Sequence, residues 1–142
     1  MKTNFALVPK LLRRDPIIAA KLAASFAMAG GVAALTGPQD CVSEMVGAYA
    51  ARRLFMVDAL NGIDGIRCAA PDGAFYLFPS FTGWTGDSVS LAEALIERAD
   101  IASVPGIAFG AAGEGHLRFT IATAMSDLEK AAERLARVVP GL

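Results

Sequence analysis

From residue 36 onward, apolar and polar positions recur with periods that indicate their secondary structure. Val42, Met45, Val46, Tyr49, Met56, Leu60 and Ile63 follow a 3.6-residue spacing, with Arg52, Arg53 and Asp58 between them. That period predicts a long helix with one buried face. Its start is expected at 36–39, where Thr36 would cap, Pro38 would occupy the first turn and Gln39 would reach back. Asn61-Gly62 and Asp64-Gly65 would end it by supplying left-handed backbone positions.

Residues 65–81 read as two short strands joined by a turn at Pro71-Asp72-Gly73, the second carrying the aromatic run Phe75-Tyr76-Leu77-Phe78. A flexible connection is expected at 82–87. Ser90-Leu91-Ala92-Glu93 then forms a capping box, opening a helix to Ala99 with Leu91, Leu95 and Ala99 inward. Residues 101–104 should make a short strand stopped by Pro105-Gly106. Between 113 and 124, Leu117, Phe119 and Ile121 fall on one face and His116, Arg118 and Thr120 on the other, as in a half-buried strand. A second capping box, Ser126-Asp127-Leu128-Glu129, opens a last helix that stops at Pro140-Gly141. The order predicts an α/β sandwich, with helices covering a small, mainly antiparallel sheet.

Residues 1–35 follow a different pattern. Positions 1–9 have no clear period, and 17–35 reads as an alanine-rich helix weakened at Gly30-Gly31. This segment carries five basic residues against one acid, for +4, whereas 36–142 carries eight against thirteen, for −5. The chain is therefore divided into a basic, apolar helical segment, 1–35, and a folded domain, 36–142. Arg13, Arg14 and Asp15 break the apolar core that a secretory signal needs. The composition leaves an organelle presequence open beside a packed helix.

Composition narrows the function classes. In 142 residues, one domain is expected. Hydrophobic residues make up 54% and charged residues 19%, which excludes disorder. Every long apolar run meets a charge or proline too soon to span a bilayer, so no membrane partner is expected. The acidic body argues against nucleic acid. Cys41 and Cys68 lack metal or redox spacing and read as buried free thiols of a reducing compartment, the cytoplasm. A single histidine, His116, leaves little for a zinc site or a Ser-His-Asp triad.

One candidate site stands out. The stretch 104–115 holds four glycines and a proline, a composition that brings backbone close to a ligand or partner. Arg118 follows on a strand, where its planar fork suits a carboxylate. Two readings are open: Arg118 grips a ligand, or it pairs with a nearby acid such as Glu114.

Four segments, taken together, carry a resemblance. They are Val32-Ala33-Ala34-Leu35-Thr36-Gly37-Pro38-Gln39-Asp40, Pro71-Asp72-Gly73-Ala74-Phe75-Tyr76-Leu77-Phe78, Val104-Pro105-Gly106-Ile107-Ala108-Phe109-Gly110, and Gly113-Glu114-Gly115-His116-Leu117-Arg118-Phe119-Thr120-Ile121-Ala122. In this order, over about residues 25–142, they resemble the C-terminal portion of class I aminotransferases that use pyridoxal phosphate, above all bacterial aspartate aminotransferases. The resemblance implies the small domain of such an enzyme and amino-group transfer between an amino acid, such as aspartate, and a 2-oxo acid. Arg118 would grip the substrate's α-carboxylate, Phe75 would line the substrate side, and Phe109 and Gly110 would border the cleft. In the family, this domain closes on a large domain when substrate binds, excluding water.

The sequence also departs from the family. Its Schiff-base lysine lies in an upstream motif, Ser-Lys-x-Phe/Tyr-x-Met-Thr-Gly-Trp-Arg. The lysines here are Lys2, Lys10, Lys21 and Lys130, none of them in such a motif. Residues 25–31 echo it, with Ala24 at the lysine position and Val32 at the arginine position, and the echo reads as coincidence. The resemblance therefore implies substrate-binding residues Arg118 and Phe75, no catalytic, cofactor-binding or metal-binding residue, and a chain inactive alone. The implied partners are a large domain or a second copy of the chain. The alternative is a non-catalytic interaction or self-association module derived from a truncated aminotransferase.

Overall fold

The computed structural model describes residues 25–142, which fall into two units divided between Val42 and Ser43. In the first, helix α1 spans Ser25–Thr36 and carries no charged residue. It runs unbroken through Gly30-Gly31, where helical glycine is unfavourable. Residues 17–24, predicted to be helical, and residues 1–9 and Arg13-Arg14-Asp15 lie outside the described residues. Thr36 does not cap the next helix. It ends α1, its hydroxyl donating to the Val32 carbonyl at 2.8 Å. The Gln39 amide does reach back, but it donates to the carbonyls of Ala34 and Gly37, both at 3.0 Å. Carbonyls at a helix end lack partners within the helix, so this glutamine serves the end of α1.

Helix α2, Asp40–Asn61, crosses the division within its first turn. Met56, Leu60 and the following Ile63 are buried, and Tyr49, Phe55 and Val57 pack at the core's edge. The earlier half of the predicted face is not buried. Met45 is 52% and Val46 62% exposed, because the core of the second unit meets this helix only from Tyr49 onward. At its end, Asn61 clasps Cys68: the side-chain amide donates to the Cys68 carbonyl and its oxygen accepts from the Cys68 N–H, each at 2.9 Å. The clasp fastens the helix to strand β1, Ile66–Arg67.

Strand β1 does not form the expected hairpin with β2, Tyr76–Leu77. It pairs antiparallel with β3, Ser80–Phe81, placing Ile66 opposite Phe81. The second sheet has order β2-β5-β4, where β4 is Val104–Pro105 and β5 is Leu117–Thr120. All its pairings are antiparallel, with Leu77 opposite Phe119 and Val104 opposite Arg118. A bridge between Ser80 and His116 continues β5 alongside β3. Strand β5 thus organises the centre, because Leu117, Phe119 and Ile121 are all buried there, as their alternation predicted. The aromatic run forms only a two-residue strand, with Phe75 and Phe78 exposed outside it.

Helices α3, Ser88–Ala99, and α4, Met125–Val138, complete the sandwich. Leu91, Leu95 and Ala99 of α3 face the core as expected, joined by Leu128 and Leu135 of α4. Full burial of each such leucine contributes roughly 1.5–3 kcal/mol. Neither capping box holds. Asp87 caps α3 by accepting from the Ser90 N–H at 2.7 Å, so Ser90 lies inside the helix. Helix α4 begins after Ala124 with no side-chain cap. Among the described residues, no helix is long and apolar enough to cross a membrane.

Candidate functional site

Arg118 sits in the middle of β5, half-buried, on the face opposite Leu117 and Phe119. Two rings flank its guanidinium. The central carbon lies 4.4 Å from the centroid of Tyr76 and 5.1 Å from that of Phe109. Such contacts stabilise a cation by about 0.5–2 kcal/mol. They leave the edge of the guanidinium, where its N–H donors lie, to other partners. The ion pairs among the described residues are Lys130–Asp127 and Arg134–Asp100, neither of which involves Arg118.

Glu114, the alternative partner, is engaged elsewhere. One carboxylate oxygen accepts from the Ser88 N–H and, at 3.3 Å, from the Gly115 N–H; the other accepts from the Ser88 hydroxyl at 3.3 Å. An acid at the start of α3 also meets the positive end of the helix dipole.

Phe75 joins the same side of the molecule. Its ring lies 4.4 Å from Tyr76 and 6.0 Å from Tyr49. Beside it, an open groove of about 370 Å³ runs between α2 and the 72–75 turn, lined by Tyr49, Arg53, Asp72 and Phe75 among others. Arg53 secures that turn by donating to the Pro71 carbonyl. Beyond Arg118, Phe109 meets Phe78 edge-on at 5.8 Å, and Phe78 stacks on His116 at 5.0 Å. The structure therefore brings Arg118 and Phe75 into one aromatic row through Tyr76. Tyr76 itself was not singled out from the sequence, nor were Phe78 and His116 as site residues. The signal was alternation: with Leu77 inward, Tyr76 and Phe78 had to face outward.

The two sequence-predicted thiols differ. Cys68 is buried, and burial pushes its thiol pKa up against the opposing effect of a backbone hydrogen bond from Phe78. Cys41 is exposed, contrary to expectation, since it lies in the uncovered first turn of α2.

The family model for aminotransferases of class I and II matches residues 13–135. This chain belongs to that aminotransferase family. A probable aspartate aminotransferase of Methanocaldococcus jannaschii is 43% identical over 109 residues, covering 77% of this chain and 28% of that protein. An aspartate aminotransferase of Pyrococcus horikoshii is 37% identical over 120 residues, covering 83% and 31%. Among solved structures, the aspartate aminotransferase of Rhizobium meliloti superposes with a TM-score of 0.76 at 35% identity, covering 82% of this chain and 31% of that one. The alanine aminotransferase of Pyrococcus furiosus superposes with 0.84 at 27% identity, covering 99% and 36%. This aminotransferase chain thus spans about a third of the length of the relatives it matches. The matched span takes in Phe75 and Arg118, and also residues 25–31, whose likeness to the upstream motif reads as coincidence from the sequence alone.

Proposed function

We propose that this chain, probed as it stands, is the substrate-carboxylate-binding portion of an aminotransferase that exchanges an amino group between an amino acid, such as aspartate, and a 2-oxo acid. One observation carries the reading: Arg118 lies against two rings and has no ion-pair partner among the described residues, in the stretch Gly115-His116-Leu117-Arg118-Phe119-Thr120 that fits the family's carboxylate-gripping arginine. Its fork would receive the α-carboxylate through paired charge-assisted hydrogen bonds. Phe75 would line the substrate side, and 36–142 would be the small domain. A large domain or a second copy of the chain would be its partner, in the cytoplasm.

The family implies pyridoxal phosphate, which supplies an electron sink for amino-group chemistry when bound. The described residues do not fit it. Their one lysine, Lys130, is 67% exposed and bound to Asp127 at 3.4 Å on an outer face of α4. The family match starting at residue 13 supports reading 25–31 as the family's motif in altered form, with Ala24 where lysine would stand. On that reading the chain does not transaminate alone.

Titration of the purified chain with pyridoxal phosphate, borohydride trapping and intact mass tests the second part; a stoichiometric trapped adduct would refute it. A complementing aminotransferase large domain tests the first. It should restore cofactor binding and turnover, and Arg118→Lys should then impair turnover strongly. An active pair indifferent to Arg118 would sink the site assignment.

A second reading, as an interaction or self-association module, has its own support. Val32 and Leu35 of α1 and Val46 and Leu54 of α2 are exposed apolar residues, more than isolated surface positions require. Light scattering distinguishes it. A monomer that binds no hydrophobe-sensing dye counts against it.

A further inference from the structure

We infer that Glu114 is a positioning residue for the Arg118 carboxylate seat, acting through Ser88 and the loop that carries Phe109. The inference rests on the carboxylate-binding reading of Arg118. Phe109 is 53% exposed, so burial does little to hold its ring over the guanidinium. Its place is set by the two short helical turns of its loop, Gly106–Phe109 and Ala111–Gly113. That loop is pinned to α3 through one fully buried side chain. The Ser88 hydroxyl accepts from the Ile107 N–H at 3.2 Å and donates to Glu114 at 3.3 Å. Glu114 completes the clamp by accepting the Ser88 N–H at the first turn of α3.

Both ends of the loop therefore converge on one serine, Ile107 just before Phe109 and Glu114 just before β5. A carboxylate suits the position because it accepts at both oxygens and meets the positive end of α3. An amide offers one acceptor oxygen and turns a donor toward the Ser88 hydroxyl. With the clamp loosened, Phe109 leaves the guanidinium, and Arg118 loses one of the two rings packed against it.

The test uses the full 142-residue chain labelled with nitrogen-15, and 2-oxobutanoate as probe. The Arg118 Nε–Hε signal, assigned by its loss in Arg118→Lys, reports ring currents from Tyr76 and Phe109 without any ligand. Glu114→Gln should move that signal downfield and weaken 2-oxobutanoate binding about five- to tenfold. Ser88→Ala, which keeps the carboxylate but removes the bridge to Ile107, should act in the same direction. Phe109→Leu should reproduce the loss, and adding Glu114→Gln to it should bring little more, as expected for one coupled unit. Asp87→Ala removes the other cap of α3 without touching the loop, and should leave signal and affinity unchanged. An unmoved signal in Glu114→Gln, or an equal loss in Asp87→Ala, overturns the inference. Unchanged 2-oxobutanoate binding in Arg118→Lys instead overturns the carboxylate reading, and the ligand-free signal still decides whether Glu114 positions the arginine.

Discussion

Replacing Gly106 with alanine should destabilise the fold by about 3–5 kcal/mol. A Cβ built on Gly106 would lie 1.8 Å from the Gly113 carbonyl oxygen and 2.6 Å from that of His116, where ordinary contact is 3.4–4 Å. Neither oxygen can retreat freely. His116 O accepts from the Gly106 N–H at 2.9 Å, and Gly113 O accepts from the His116 N–H at 3.1 Å. Parting the two turns far enough sacrifices both bonds, at about 1 kcal/mol each, and adds roughly 1–3 kcal/mol of overpacking. A domain holds only about 5–15 kcal/mol in total, so the loss is large. Urea unfolding followed by circular dichroism should show a lower midpoint with an unchanged slope. Gly73→Ala is the control: nothing lies within 4 Å of its added Cβ, and the change should stay within about 0.5 kcal/mol. If Gly106→Ala unfolds within about 1 kcal/mol of the parent, the interlocked turns do not hold the loop as argued.

Leu60→Ala, at a fully buried position, should cost about 2–5 kcal/mol, whereas Leu54→Ala on the exposed face of the same helix should change little in the same unfolding assay. Because burial raises the Cys68 pKa, the folded state keeps this thiol neutral where the unfolded chain ionises it. That contribution is fully present below the ordinary thiol range and is lost as pH rises through and above about 8.5. Cys68→Ala should flatten this alkaline decline of stability, and an equally steep decline in the variant would contradict it. With a thiol reagent at neutral pH, Cys41 should react fast and Cys68 only as the chain opens; two equal fast phases would refute the difference in burial. Asp87 has a lowered pKa because its carboxylate accepts from Ser90. Its capping contribution is therefore present above the ordinary carboxylate range and lost as pH falls through the depressed folded value. Asp87→Asn should shift the acid limb of the stability profile, and an unshifted limb would deny the cap.

The parts legible in the sequence were those with a local period. Alternation from Leu117 to Ile121 gave the central strand, and the spacing of Leu91, Leu95 and Ala99 gave the buried face of α3. Pairing was not legible. Pro71-Asp72-Gly73 signals a turn, but a turn does not say which strands meet, and two-residue strands carry almost no register of their own. Tyr76 finds Thr120 across 43 intervening positions because the inward residues of β5 demand a partner on that side. Capping misled for a related reason: Asp87, Ser88 and Ser90 are all acceptable caps, and only the loop from 106 to 115 decides which N–H groups are already taken. The face of α2 shows the limit of periodicity. It identifies which side of a helix is apolar without identifying what covers it.

The candidate site depends on the same loop, and this bears on how Arg118 can work. A guanidinium has a face and an edge. Rings take the face, through the attraction of a cation to π density, and carboxylates take the edge, through the N–H fork. Tyr76 and Phe109 can therefore hold Arg118 without competing for the donors a ligand would use. A salt bridge to Glu114 would have done the opposite, spending those donors before any ligand arrived. Because Glu114 is committed to Ser88 at the start of α3, the acid nearest to Arg118 in sequence supports the loop instead of blocking the arginine. The sequence presented Glu114 and Arg118 as possible partners; in the fold Glu114 bonds Ser88 instead, and neither ion pair of the described residues involves Arg118.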